Sequence, residues 1–339
     1  MVLLLAAAAA TTLVLNIRTL DAPLRLTAPL RFKVPQGASF ARVASDLGRQ
    51  GVVANPRIWT LYARLKGLAP AVKAGEYEIQ PGTTPRDLLM KMVNGQVLLH
   101  SFTIVDGWRV QDLLEAMRHN PDIATTLPEP ANFPAQAAAL MTKLGSPGID
   151  PEGQFLPETY RFIGGTSDIE LLRQAHTALL HELDAAWANR DPDVPLHNSY
   201  ELLIMASIVE KESGLPQELP KIAGLYLHRL SIGMRLQADP TVIYGLGQHY
   251  DGNIHTVDLQ TDGPYNTYTR VGLPPTPIAL AGAAVIRATA RPEKTDAIYF
   301  VASTKGDGSH VFSATLEQHN AAVAAYVAHQ RKAAQDSPR

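Results

Sequence analysis

No cysteine occurs among the 339 residues. Disulfides, thiolate metal ligands and a cysteine nucleophile are therefore excluded, and the absence suits an oxidising compartment in which a stray thiol is a hazard. An excess of one charge is missing too. Thirty Lys and Arg against 32 Asp and Glu leave a formal net charge of -2, so there is no overall basic character of the kind that marks a nucleic-acid binder, and no nucleic-acid partner is expected. The 11 histidines form no HExxH pattern: "HELD" at His181 lacks the second ligand, and His249 and His255 sit in a glycine-containing loop without ligand spacing. GxxxxGK[ST] and GxSxG are absent, and "STKGDGS" holds Ser303 and Lys305 without the SxxK spacing of a penicillin-binding enzyme. Neither a metal nor a cofactor is expected.

Long apolar runs are also few. The conspicuous one is the start, "MVLLLAAAAATTLVLNI", which is uncharged until Arg18. A spanning helix needs about 20 apolar residues and a signal h-region about 7 to 15. A cleavable signal would also want a basic flank, and none precedes Val2. The expectation is an uncleaved anchor over residues 1–20, with the body on the periplasmic side of the inner membrane. Arg18, Arg25 and Arg31 would favour the opposite orientation under the positive-inside rule, but the sequence offers no rival cytoplasmic loop against which to weigh them.

The remaining chain has a globular composition, 46% hydrophobic and 18% charged. A weak repeat follows the anchor: "FKVPQGASFARVASDL", "YEIQPGTTPRDLLMKM" and "FTIVDGWRVQDLLEAM" each run from a short strand through a turn at Gly37, Gly82 or Gly107 into an amphipathic helix. Thr84 with Pro85 is a helix start, and so is Asn55 with Pro56. Strand, helix, helix, strand is the order of a small LysM-like module, placed at 30–100. A connecting strand–helix unit and a proline- and alanine-rich linker follow at 101–150, then a larger domain at 151–330. The fold class expected is α+β, with an anchor, a LysM-like βααβ module and a mixed α/β catalytic domain. Near the end "AIYFVAS" and "VFS" read as a hairpin, and "TLEQHNAAVAAYVAHQRKAA" as a final helix.

The stretch "ASIVEKES" ends a strongly apolar run and carries two glutamates. Asn198 and Glu201 form a capping box at the helix start, and Gly214 and Pro216 stop the helix. At 100° per residue, Ser207, Glu210 and Lys211 share one arc, read as the solvent face, whereas Glu212 falls with Met205, Ile208 and Val209. A carboxylate on an apolar face costs several kcal/mol unless paired or protonated, and the helix C-terminus disfavours the charge further. Both effects raise its pKa toward that of a general acid. The competing reading is a core glutamate paired with Arg229, Arg235 or Arg270.

"ASIVEKES", "RLSIGMRLQADPTVIYGLG", "YNTY" and "GLPPTPI", flanked by "EGQFLPETYRF" and "HVFSATLEQHN", closely resemble the signature blocks of the endolytic murein transglycosylases, the MltG or YceG-like family. The resemblance implies a membrane-anchored lytic transglycosylase that cleaves the β-1,4 bond from N-acetylmuramic acid to N-acetylglucosamine in peptidoglycan glycan strands. It implies association with a peptidoglycan synthase as well. The family's catalytic glutamate, the one directly before Ser or Thr in this block, is Glu212 here. Most glycosidases use two carboxyls, but a lytic transglycosylase lets the sugar's own C6 hydroxyl attack, so one suffices. Candidate substrate-binding residues are Gln237, Tyr265, Asn266, Tyr268 and Ser213, with Glu152 and Glu158 as more distant candidates. Asp239 before Pro240 reads as a helix cap, or as the second carboxyl of a lysozyme-like hydrolase, as does Glu158. A non-enzymatic wall-binding scaffold is the third reading.

Overall fold

A computed structural model of the chain describes residues 18–127, 133–212 and 214–336. The chain divides into two compact units. The first comprises residues up to Ser101 together with Arg161–Thr166, and the second Phe102–Tyr160 and the chain from Ser167 onward.

The first unit is built from β1 (Leu30–Val34), α1 (Phe40–Arg49), α2 (Pro56–Leu65), β2 (Gly75–Ile79) and α3 (Pro85–Val93). β1 and β2 are antiparallel with Phe32 opposite Tyr77, and period-two alternation sends Phe32, Val34, Tyr77 and Ile79 inward. Trp59 of α2 fills the centre, its ring 4.8 Å from and edge-on to Phe40. The strand–helix–helix–strand order expected from the sequence is present, and Leu20, just before it in the chain, packs into the same core. Among the described residues no helix is long and apolar enough to cross a membrane. The anchor expected over residues 1–20 lies for the most part outside the described residues.

The repeat is also visible. Gly37, Gly82 and Gly107 all have positive φ, the left-handed turn that glycine adopts without steric cost, and α1, α3 and α4 (Val110–Arg118) follow them. Thr84 caps α3 as expected, and it forms a capping box with Asp87. Asn55 does occupy the N-cap of α2, but makes no side-chain cap bond.

In the second unit, α5 (Phe133–Leu144) occupies part of the proline- and alanine-rich stretch. Next come β4 (Thr159–Ile163), which starts in this unit and ends in the first, then α6 (Asp168–Ala188), α7 (Ser199–Glu212), α8 (Leu219–Ser231), α9 (Asp239–Leu246), α10 (Thr256–Gln260) and α11 (Ala283–Ala290). The expected hairpin, β5 (Tyr299–Ala302) with β6 (His310–Ser313), and the expected last helix, α12 (Leu316–Asp336), close the chain. β3 (Leu99–Thr103) and β4 contain the points at which the chain passes between units.

α7 is the axis of this unit. Asn198 Oδ1 accepts the Glu201 N–H at 2.9 Å, and the Glu201 carboxylate accepts the His197 N–H at 2.8 Å, giving the helix its start. Every residue from Leu202 to Val209 is buried, with α6, α8, α9 and α11 packed around them. Full burial of each large aliphatic side chain is worth about 1.5–3 kcal/mol. Of the arc read as solvent-facing, Lys211 is exposed as expected, whereas Ser207 and much of Glu210 are covered. Ser207 is buried, its hydroxyl donating to the Ile204 carbonyl and accepting the Ile278 N–H at 3.0 Å. Glu210 accepts the Gly282 N–H at 3.0 Å. The cause is the 278–282 segment, which a helical wheel does not contain. α8 comes close to the 293 region because Gly224 has no side chain: a Cβ there would lie 2.1 Å from the Glu293 carbonyl oxygen.

Candidate active site

Glu212 is the last residue of α7 and is half-buried. One helix away, Tyr226 of α8 is fully buried, and its hydroxyl donates to Glu212 Oε1 at 2.5 Å. A buried tyrosine needs a partner for its hydroxyl, and here the partner is the candidate acid. Burial is the main influence on Glu212. It raises the carboxyl to about 7, against the Tyr226 hydrogen bond, which favours the charged form; the Asp239 charge adds to the rise and Arg229 opposes it. The group is thus poised to give and take a proton near neutrality.

Among the described residues no ion pair joins Glu212 to an arginine. Arg229, one turn beyond Tyr226 on α8, is buried and gives its guanidinium hydrogens to the Ile298 carbonyl at 2.6 Å and to the Leu236 carbonyl. Arg235 donates to the Tyr268 carbonyl at 3.1 Å, and Arg270 pairs with Asp262 at 2.8 Å. All three candidate partners of a core glutamate are spent elsewhere.

The "YNTY" loop lies along α9 in three rungs. Tyr268 donates its hydroxyl to Asp239 at 2.5 Å. Thr267 accepts the Gln237 N–H with its carbonyl at 3.1 Å and the Ala238 N–H with its hydroxyl at 3.0 Å, and it meets the Thr241 hydroxyl at 2.9 Å. Tyr265 packs its ring 4.8 Å from Tyr244 and bonds the Thr276 hydroxyl at 2.9 Å. Asn266 is buried. Its amide donates to the carbonyls of Asp258, Leu259 and Thr261, and its oxygen accepts the Tyr268 N–H, so both ends brace the loop itself.

Asp239 is the first residue of α9 rather than its cap. Ala238 holds the cap position, which leaves the Asp239 carboxylate exposed and bound by Tyr268. Gln237, exposed on the approach to α9, has φ 51° and is the sole non-glycine residue with positive φ among those described. Backbone strain of this kind, about 1 kcal/mol or more, tends to be kept where a side chain has a task. Ser213 lies outside the described residues.

The more distant candidates separate from this cluster. Glu158 is exposed in a groove beside α6 with Arg173 and His181. Glu152 is buried, accepting the Val110 N–H at 3.0 Å and the Tyr244 hydroxyl at 3.3 Å. Burial raises it to about 7, against those two hydrogen bonds. Arg109 covers the Tyr244 ring at 4.8 Å. Tyr226 was not among the sequence candidates, because in "AGLYLHRL" it reads as one more core aromatic. The available signal was chemical: tyrosine in place of phenylalanine on a mostly apolar face implies a hydroxyl with a use.

A desolvated carboxyl that titrates near neutrality and is tied to a tyrosine equips a protein for general acid–base chemistry. The model of the YceG-like family matches residues 32–325, and the chain belongs to that family. It is 29% identical over 312 residues to the endolytic murein transglycosylase of Bacillus subtilis, covering 88% of this chain and 85% of that protein. It is 26% identical over 322 residues to the endolytic murein transglycosylase of Streptococcus pneumoniae, covering 87% of this chain and 58% of that protein. The crystal structure of a YceG-like protein from Listeria monocytogenes is similar with a TM-score of 0.53 and 28% identity, covering 86% of this chain and 98% of that one.

Proposed function

We propose that this protein is an endolytic peptidoglycan lytic transglycosylase. In this reading it cleaves the β-1,4 bond from N-acetylmuramic acid to N-acetylglucosamine within glycan strands, with Glu212 as acid and then base. The observation that carries the reading is a Glu212 carboxyl raised to about 7 by burial and unpaired with any arginine among the described residues. The names of the Bacillus and Streptococcus relatives support the substrate and the reaction.

Protonated Glu212 gives its proton to the glycosidic oxygen as the C1–O bond of the muramic acid sugar breaks. The C6 hydroxyl of the same sugar then bonds to C1, and the Glu212 carboxylate takes the hydroxyl proton. The ring closes as a 1,6-anhydro sugar, the carboxyl is regenerated and no water is consumed. A pKa near 7 suits both halves, since neither proton transfer is steeply uphill at neutral pH. The Tyr226 hydroxyl steadies the carboxyl in both states. The Asp239 carboxylate, held by Tyr268, supplies negative potential to the oxocarbenium-like centre. Gln237, Tyr265 and Tyr268 are the proposed sugar contacts with Ser213, and Asn266 contributes by shaping the loop that carries the tyrosines.

Around this chemistry we place an N-terminal anchor at residues 1–20 and a LysM-like module that holds glycan. The body stands on the periplasmic side of the inner membrane, close to a peptidoglycan synthase. Mass spectrometry of glycan digested by the wild type and by Glu212→Gln tests the reaction. Anhydro ends that disappear in the variant are expected. Reducing ends would indicate a lysozyme-like hydrolase, and unchanged glycan a scaffold.

A further inference from the structure

The two units carry opposite charge. The first holds 13 Lys and Arg against 5 Asp and Glu, a net +8, and the second 17 against 27, a net -10. The near-neutral total conceals this segregation. Within the first unit α2 carries Arg57 and Arg64 and no acidic residue. Arg57, Leu61, Arg64 and Leu65 are spaced i, i+4, i+7 and i+8, so they share one helix face, and all four are exposed, Leu65 by 66%. Among the described residues the side chains of Arg57, Arg64 and Lys66 have no ion-pair partner. Beside them a groove of about 810 Å³ runs between α1 and α2, with Ala41, Ile58 and Leu61 on its walls and Arg49, which is paired with Asp46, at its rim.

Two bare leucines between unpaired cations have no use in a sugar cleft, where planar rings and hydrogen-bond acceptors are wanted. They match an anionic bilayer surface, with apolar side chains entering the headgroup boundary and arginines on the phosphates. An uncharged apolar run precedes β1 in the sequence. We infer that the outer face of α2, centred on Arg57, Leu61, Arg64 and Leu65, docks on the anionic phospholipid surface of a membrane and lays the first unit against it. The inference rests on the membrane-side placement proposed above but not on the glycan chemistry.

The native chain has no cysteine, so Leu61→Cys takes a single environment-sensitive fluorophore in the full chain, with Gln330→Cys on α12 as the control site. The labelled proteins are added to vesicles of phosphatidylcholine, with or without phosphatidylglycerol. The expected result is a blue-shifted, quencher-protected signal at position 61 in the phosphatidylglycerol vesicles only, with none at 330. The docked fraction should drop about fivefold for each of Arg57→Gln and Arg64→Gln and vanish at high salt. These residues are exposed, and an unchanged circular dichroism spectrum verifies the fold. Equal signals in both lipids, no signal in either, or a signal produced by soluble glycan fragments without vesicles would overturn the inference. Glu212→Gln carrying the same label should dock normally while losing glycan cleavage, which separates a failure here from a failure of the proposed reaction.

Discussion

Tyr268 and Asp239 are joined by a 2.5 Å hydrogen bond from the tyrosine hydroxyl to the carboxylate. Through that bond the loop carrying Tyr265 sets where the second negative charge of the site stands. Asp239 in turn raises the carboxyl of Glu212. Two acids, each bonded by its own tyrosine, from α7, α8, α9 and one loop, are thus linked electrostatically.

Glu212→Gln should lower glycan cleavage by about a thousandfold or more, the range for losing a general acid, and leave the fold intact, because an amide of the same shape replaces the carboxyl and can still accept the Tyr226 hydrogen bond. Anhydro-end formation counted by mass spectrometry, beside a thermal melt, checks both halves. Retention of more than a tenth of the activity would assign the chemistry to another residue.

The pH–rate profile offers a signed test on two neighbours. Glu212 must carry its proton to act, so activity should fall as pH rises through about 7. Asp239→Asn removes a charge that holds the proton on, so this limb should move to lower pH. Tyr226→Phe removes a hydrogen bond that favours the carboxylate, so the limb should move to higher pH. Each displacement should be about one pH unit. Movement of both variants in the same direction would contradict the arrangement.

Stability should also depend on pH, with Glu152 as the cleaner probe. Its ordinary value of 4.5 rises to about 7 in the folded chain. Between those values the folded form binds more protons than the unfolded form, so the contribution is fully present below 4.5 and is lost as pH rises through 7. The loss is up to about 3 kcal/mol for this group. Glu152→Gln should flatten that part of the curve in urea titrations run between pH 5 and 8. Because Glu152 braces the Val110 N–H and the Tyr244 hydroxyl, the variant should keep most of its turnover.

Gln237→Gly relieves the left-handed backbone at φ 51°. The variant should be as stable as the parent or more stable by about 0.5–1 kcal/mol, yet bind glycan more weakly, seen as a raised KM with kcat little changed. A loss of stability would show that the side chain holds structure rather than substrate.

Much of this arrangement could be read from the chain because it is local. The capping signals at Asn198 and Thr84, the glycine turns and the position of Glu212 among apolar neighbours all depend on residues close in sequence. The errors have a common cause. Ser207 and Glu210 looked solvent-facing because the segment covering them lies about 70 residues downstream. Asp239 looked like a cap because its partner, Tyr268, belongs to another loop. Tyr226 was passed over because burial and apolar neighbours give tyrosine and phenylalanine the same pattern. Asn266 was read as a substrate contact, and only three-dimensional contacts show its amide turned into its own loop.

Burial of the Leu202–Val209 stretch of α7 on all sides has a thermal corollary. The acid stands at the tip of a rod that cannot shift unless the packing around it dissolves. Warming should therefore silence the enzyme and melt it at one temperature, with no earlier range in which a folded but inert form accumulates.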